Sequence, residues 1–178
     1  MDDFVKPSIN QHHSIFGIRG DLDGGTDTQD FSEGKQFIGL LIGSEEFLFP
    51  IEVMNEIIMV HQLTFVPSAP RFIEGVINLR GKILPTINLR KMMGLENVAP
   101  TTQSRIIIAN FEETMIGLLV DGISYVVTLF PDQIQNQTLV TKGSGTELIS
   151  GISKRGDQVN GILDIGKVIS ETRNAKTA

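Results

Sequence analysis

The stretch Gly75 to Arg90, GVINLRGKILPTINLR, constrains this chain more than any other. Val76, Ile77 and Leu79 precede Arg80-Gly81-Lys82, and Ile83, Leu84, Ile87 and Leu89 follow it. Two extended apolar runs around a glycine read as a β-hairpin, because glycine reaches the positive φ of a two-residue turn without steric cost. Such a hairpin turns apolar groups toward a core. It also holds Asn78 and Arg80 near an exposed turn, where a partner can read them.

A degenerate copy follows at Gly151 to Ile165, GISKRGDQVNGILDI. Arg155-Gly156 matches Arg80-Gly81, while Gly151 and Ile165 match Gly75 and Leu89, so the copies drift by one residue before the turn and recover it after. A second block also repeats. FPIEVMNEI, from Phe49 to Ile57, lines up with LLVDGISYV, from Leu118 to Val126. Two blocks repeated in one order argue for a duplication into similar halves. A stacked solenoid would need about three units or more.

At 178 residues the chain has room for one ordinary domain or two very small ones. A hydrophobic content of 40% against 20% charged supports a packed core. Isoleucine and valine dominate, with one Tyr and no Trp, which favours strands. The net charge is −6 and no Lys/Arg cluster stands out, so nucleic acid is not an expected partner. Without cysteine there is neither a disulfide nor a thiolate zinc site, a composition that fits a reducing compartment. The opening Met1-Asp2-Asp3 is unlike a signal peptide, and no run of about 20 apolar residues exists, so direct membrane insertion is not expected.

Residues 1 to about 34 are acidic, broken by Gly24-Gly25 and short of apolar residues, and read as a disordered tail. Structure is expected from about residue 35 to 170, and residues 171–178 are expected to fray. Residues 37–42 and 47–49 form a first hairpin. Pro50 opens a short helical turn, and Glu56 to Val60 resume as a strand. Leu63 to Pro67 are extended, and Pro70 is placed to start one helical turn through Phe72. After the organising hairpin, Leu89 to Met93 form another turn ended by Gly94. A polar connection near 94–104 separates the halves. The second half offers strands at 106–109, 115–120 and 123–129, a polar Gly-rich loop from Gln133 to Thr146, the second hairpin, and a short helix from Ile165 to Ile169. Each half is too small to bury much alone. The expected architecture is therefore all-β: two small β-barrels packed together, interleaved or sequential, with short helical turns.

Catalytic equipment is scarce. His12 and His13 lie in the tail, and His61, at a strand end, reads as a surface residue. Neither a phosphate-binding loop nor a dinucleotide fingerprint occurs, and Gly143-Ser144-Gly145-Thr146 lacks the flanking strand and helix. Glu45-Glu46 and Glu112-Glu113 fall in expected hairpin turns, where charge is simply solvated. Glu56 and Arg80 stand out as charges within strand-forming sequence. They are either two unrelated solvated groups or a cross-strand pair that fixes a surface. Neither charge has an exact counterpart in the second half, since Tyr125 stands where Glu56 would.

At these residues the sequence resembles the CheW-like domain family of bacterial chemotaxis adaptors. The words that carry the resemblance are FPIEVMNEI (49–57), FIEGVINLRGKILPTINLR (72–90), GLLVDGISYVV (117–127) and GILDIGKVI (161–169). It covers about Phe37 to Ile169. It implies two packed five-stranded SH3-like β-barrels and a scaffold that is not an enzyme and holds no cofactor. Its implied partners are the CheW-like regulatory domain of the histidine kinase CheA and the cytoplasmic helical tip of a chemoreceptor. The receptor tip is expected in a groove between the barrels. The implied location is the cytoplasm, at membrane-associated receptor arrays. Met54, Glu56, Gly75, Asn78, Leu79, Arg80 and Gly81 are the positions the resemblance marks for receptor and kinase coupling. The chain departs from the family pattern at Leu48-Phe49, where Gly-Ile is usual, at Tyr125, where an acid is common, and in its longer acidic tail. Two other readings stand beside it: a CheW-like adaptor of another chemosensory pathway, such as surface motility, and an enzyme with an unrecognised site.

Overall fold

The computed structural model describes residues 34–136 and 145–175. The tail reading and the Gly143-Ser144 stretch lie outside the described residues. Alternation of apolar and polar residues gives eleven strands among those described. The first five are β1 (Lys35–Ile42), β2 (Glu45–Pro50), β3 (Met54–Met59), β4 (Ile73–Leu79) and β5 (Lys82–Asn88). They are followed by a short helix, α1 (Leu89–Met92). Next come β6 (Arg105–Phe111), β7 (Thr114–Val120), β8 (Gly122–Leu129), β9 (Ile134–Asn136), β10 (Ile149–Arg155) and β11 (Gln158–Leu163), then α2 (Ile165–Asn174).

The fold is all-β, with its strands in two packed sheets. The first runs β8-β1-β2-β11-β10-β9 and the second β3-β6-β7-β5-β4. The sheets are therefore not the two halves of the sequence. Each takes a leading hairpin from one half and receives the remaining strands from the other. β1 and β2 pair with β8 and β11, while β6 and β7 pair with β3 and β5. The β2–β11 and β7–β5 ladders are both parallel, as a pseudo-twofold arrangement demands. The expected barrels are not closed by backbone ladders, because β3 and β4 remain opposite edges of the second sheet.

Both hairpins carry the same irregularity, a register shift just before a glycine, Gly75 in one and Gly151 in the other. One constant spacing carries Ile73 to Ile149, Gly75 to Gly151, Arg80 to Gly156 and Leu89 to Ile165. The expected one-residue drift is thereby corrected. The second turn is Gly156-Asp157, closed by the Arg155–Gln158 pair, so Arg155 is a strand residue and Gly156 takes Arg80's place. The recurring Arg-Gly dipeptide falls in different registers because the turn needs a residue tolerant of positive φ, and Gly156 supplies it with φ 59°.

Three apolar clusters build the interior. The largest lies between the sheets. It draws Leu40, Phe47 and Phe49 from the first sheet, Ile87, Ile107 and Leu118 from the second, and Ile165, Val168 and Ile169 from α2. Ile77, Leu84, Ile106, Ile108 and Leu119 fill the second sheet's own concavity, and Phe37, Leu48, Leu129 and Ile162 the first's.

Several local expectations change. Pro70 starts a simple turn, Ile73 N–H donating to Pro70 O at 2.9 Å, after which the chain enters β4, and Phe72 O accepts from Asn88 N–H at 2.7 Å. Glu45 and Glu46 begin β2 rather than sit in its turn, which is Gly43-Ser44. The stretch expected as one long loop after Gln133 contains β9. α2 continues through Asn174, past the point of expected fraying. Asp164 caps it by accepting from Lys167 N–H, and buried Thr172 donates back to Val168 O at 2.8 Å.

Candidate functional site: the seam of the second sheet

The organising hairpin places its turn at Arg80-Gly81, with Leu79 opposite Lys82. Both turn residues have positive φ, 51° and 85°. That is the two-residue geometry whose twist matches antiparallel strands. The Asn78 side-chain oxygen accepts from Gly81 N–H at 2.9 Å and locks the turn. A Cβ at Gly81 would meet nothing within 4 Å, so this glycine is there for its backbone conformation, not for space.

From this turn the Arg80 guanidinium reaches Glu56 on β3, Nη2 to Oε2, at 3.1 Å. The pair thus spans the two edges of the second sheet where no backbone ladder joins them. It is a side-chain clasp on an open seam. The Arg80 side chain is 80% exposed and that of Glu56 30%, so the pair contributes about 0–1 kcal/mol to stability and its value is geometric. A cavity of about 150 Å³ opens in the same seam, lined by Ile58, His61, Gln62, Asn78 and Leu79 among others. Ile57, Met59 and Ile83 on the flanking strands are exposed apolar residues.

Five of the seven positions marked in the sequence meet here: Glu56, Asn78, Leu79, Arg80 and Gly81. The other two do not. Met54 lies beyond a register shift in β3 and packs against the intersheet core. Gly75 is buried, and a Cβ there would sit 2.6 Å from the Thr64 carbonyl oxygen. Its absent side chain makes room for a neighbouring segment.

Beyond that contact the segment continues as residues 66–70, which wall a larger cavity of about 440 Å³. Val66, Pro67, Ala69 and Pro70 form one side, Ile73, Val76 and Pro85 the floor, and Ala175 after α2 the far edge. The lining is mostly apolar, and the cavity forms a wedge between the second sheet and the helix that follows the first.

The first sheet answers the clasp in different chemistry. Tyr125 on β8 takes Glu56's place, and the Arg155 guanidinium stacks over its ring, 5.4 Å from the centroid. Burial pushes the Tyr125 hydroxyl's pKa up, and the charge and hydrogen bond of Glu46 add to this, while Arg155 opposes it. Glu46 also accepts from the Ser124 hydroxyl. Sequence reading missed this pair because it paired Arg155 with the turn. Counting back from the turn-forming glycine would have placed Arg155 in the strand.

Among the described residues no group of three or more His, Asp or Glu is placed to hold a metal ion, and no helix is long and apolar enough to cross a membrane. His61 is exposed at the rim of the seam cavity with no described acid or base partner in a catalytic arrangement.

The family model for the CheW-like domain matches residues 36–173. The chain belongs to the CheW-like domain family. It is 32% identical over 142 residues to "Chemotaxis protein CheW" of Klebsiella aerogenes, covering 80% of this chain and 86% of that protein. It is 28% identical over 162 residues to the CheW of Helicobacter pylori, covering 91% and 98%. Among solved structures it superposes on the scaffolding protein TtCheW of Thermoanaerobacter tengcongensis with a TM-score of 0.69 and 32% identity, covering 74% of this chain and 89% of that one. Family membership makes this CheW-like chain a scaffold of chemotaxis signal transduction.

Proposed function

We propose that the chain is a non-enzymatic adaptor that couples methyl-accepting chemoreceptors to the histidine kinase CheA, working in the cytoplasm at receptor arrays. The observation that carries this reading is the Glu56–Arg80 clasp, presented on an exposed seam of a rigid two-sheet body of the CheW-like family. Coupling needs no proton transfer. It needs two sticky surfaces on one body, so that weak contacts gain from being made together.

The seam end of the second sheet, with Asn78 to Gly81, the clasp and the exposed Ile57 and Ile83, suits a β-domain such as the kinase's own CheW-like regulatory domain. The apolar wedge beneath residues 66–70 suits an amphipathic receptor helix, which would lay i, i+3, i+4 and i+7 side chains along it. Size-exclusion chromatography of the purified chain with a kinase regulatory domain and a receptor-tip fragment tests this. One peak containing all three, absent when the chain is left out, is the expected result. Two partners that never co-elute through the folded chain would remove the adaptor reading.

A further inference from the structure

Residues 61–70 lie across the outer edge of β4 as a strap with a single pin. Thr64 N–H donates to Val76 O at 2.9 Å, and Val76 N–H donates to Thr64 O at 2.8 Å; among the described residues this isolated bridge is the segment's only ladder contact. Gly75 permits the crossing, since its missing Cβ would lie 2.6 Å from Thr64 O and 3.2 Å from Leu63 Cβ. On one side of the pin, His61 and Gln62 line the seam cavity beside Asn78 and Leu79. On the other, Val66 to Pro70 wall the larger wedge.

The pseudo-equivalent place in the first sheet is built differently. Gly151 admits the Gln135 carbonyl just as closely, at 2.7 Å. There, however, the crossing segment is β9, paired with β10 at three successive positions. One crossing is paired at three positions and the other by a single backbone bridge, with Leu63 beside it packed against the second sheet's apolar cluster. Segments with few backbone bonds open at low free-energy cost, whereas a close-packed core transmits strain without yielding.

We propose that the strap is a lever that couples the two cavities, with Thr64 and Gly75 as its positioning residues. Occupying one cavity shifts the strap about its pin and changes the fit of the other. This rests on the adaptor reading, which assigns the seam to the kinase domain and the wedge to the receptor helix. Linkage then requires each partner to change the other's affinity by the same factor.

Calorimetry on the full chain measures each affinity alone and with the other partner saturating, using a kinase regulatory domain and a receptor-tip helical fragment as probes. The expected coupling factor is about five-fold or more, equal from either side. Thr64→Pro removes the donor of one pin bond. It should bring the factor close to one while leaving each separate affinity within about three-fold of wild type. Amide exchange on the unmodified chain reads the same device without any substitution: protection at Thr64 and Val76 changes when either partner is added. Independent binding in the wild type, a folded Thr64→Pro chain with the full factor, or unaltered protection at Val76 would each overturn the lever. Failure of both probes to bind would instead overturn the adaptor reading beneath it.

Discussion

Arg80 serves the backbone and the surface at once. Its φ of 51° is the first of two positive values in the turn, a position usually filled by Asn or Gly, and its guanidinium closes the seam onto Glu56. The two roles separate by substitution. Arg80→Asn keeps a residue that tolerates this conformation, so unfolding free energy should stay within about 1 kcal/mol of wild type, while binding of the kinase domain falls at least ten-fold. Denaturant unfolding and calorimetry read the two effects apart. Thr86 offers a test of the interior. It is fully buried on β5, and its hydroxyl has no hydrogen-bond partner among the described residues. Thr86→Val keeps the shape and removes the orphaned group, so the chain should gain roughly 1 kcal/mol in urea unfolding. At this scale the sequence was a good guide to the clasp, because two charges inside apolar runs are conspicuous. It did not show what a side chain at Gly75 would meet, since the carbonyl in its way is contributed by residue 64.

Among the elements, the two hairpin-plus-helix units were the most legible, because apolar alternation, a turn glycine and a capping residue all lie within about twenty residues of one another. Asn88 and Asp164 cap α1 and α2 in the same way, each accepting from the backbone N–H three residues on. The units differ in how the helix is tied down. In the first, Lys91 Nζ meets Glu74 Oε2 at 2.8 Å, and buried Asn88 donates to the same oxygen at 2.9 Å. Burial pushes the Glu74 carboxyl's pKa up, but hydrogen bonds from Lys91 and Asn88, with the Lys91 charge, outweigh it and hold it below the ordinary carboxylate range. A lowered carboxylate pKa stabilises the fold above the unfolded-state value, and that contribution is lost as the pH falls through the folded-state value. The acid limb of the stability–pH curve should therefore be shallower in Glu74→Gln than in wild type, with the two curves converging at low pH. Parallel curves across that range would contradict the assignment. In the second unit Lys167 Nζ donates to Ile149 O at 2.6 Å. The register of the second turn escaped sequence reading because a repeated Arg-Gly word was weighted above the spacing of the flanking apolar residues.

Across the whole molecule, the duplication was legible and the exchange of strands between its halves was not. Local periodicity identifies strands, but which strands pair is decided by contacts far apart in sequence, here between β1 and β8 or β3 and β6. The exchange has a consequence for cooperativity. A fragment of residues 34–99 would hold β1 and β2 without the strands that flank them, and β3 to β5 without β6 and β7. Either half expressed alone should show no cooperative thermal transition by circular dichroism, and mixing the two should restore one. A half that melts cooperatively by itself would contradict the interleaved account. The proposed adaptor role makes this exchanged body a platform for partners, and that proposal has a direct test. The measurement is calorimetric titration of the purified chain, and of Arg80→Glu, with a kinase's CheW-like regulatory domain. Saturable one-to-one binding by the wild type, lost in a variant that keeps the wild-type circular dichroism spectrum, is the predicted result. Equal binding by both, or none by a folded wild-type chain, would contradict it.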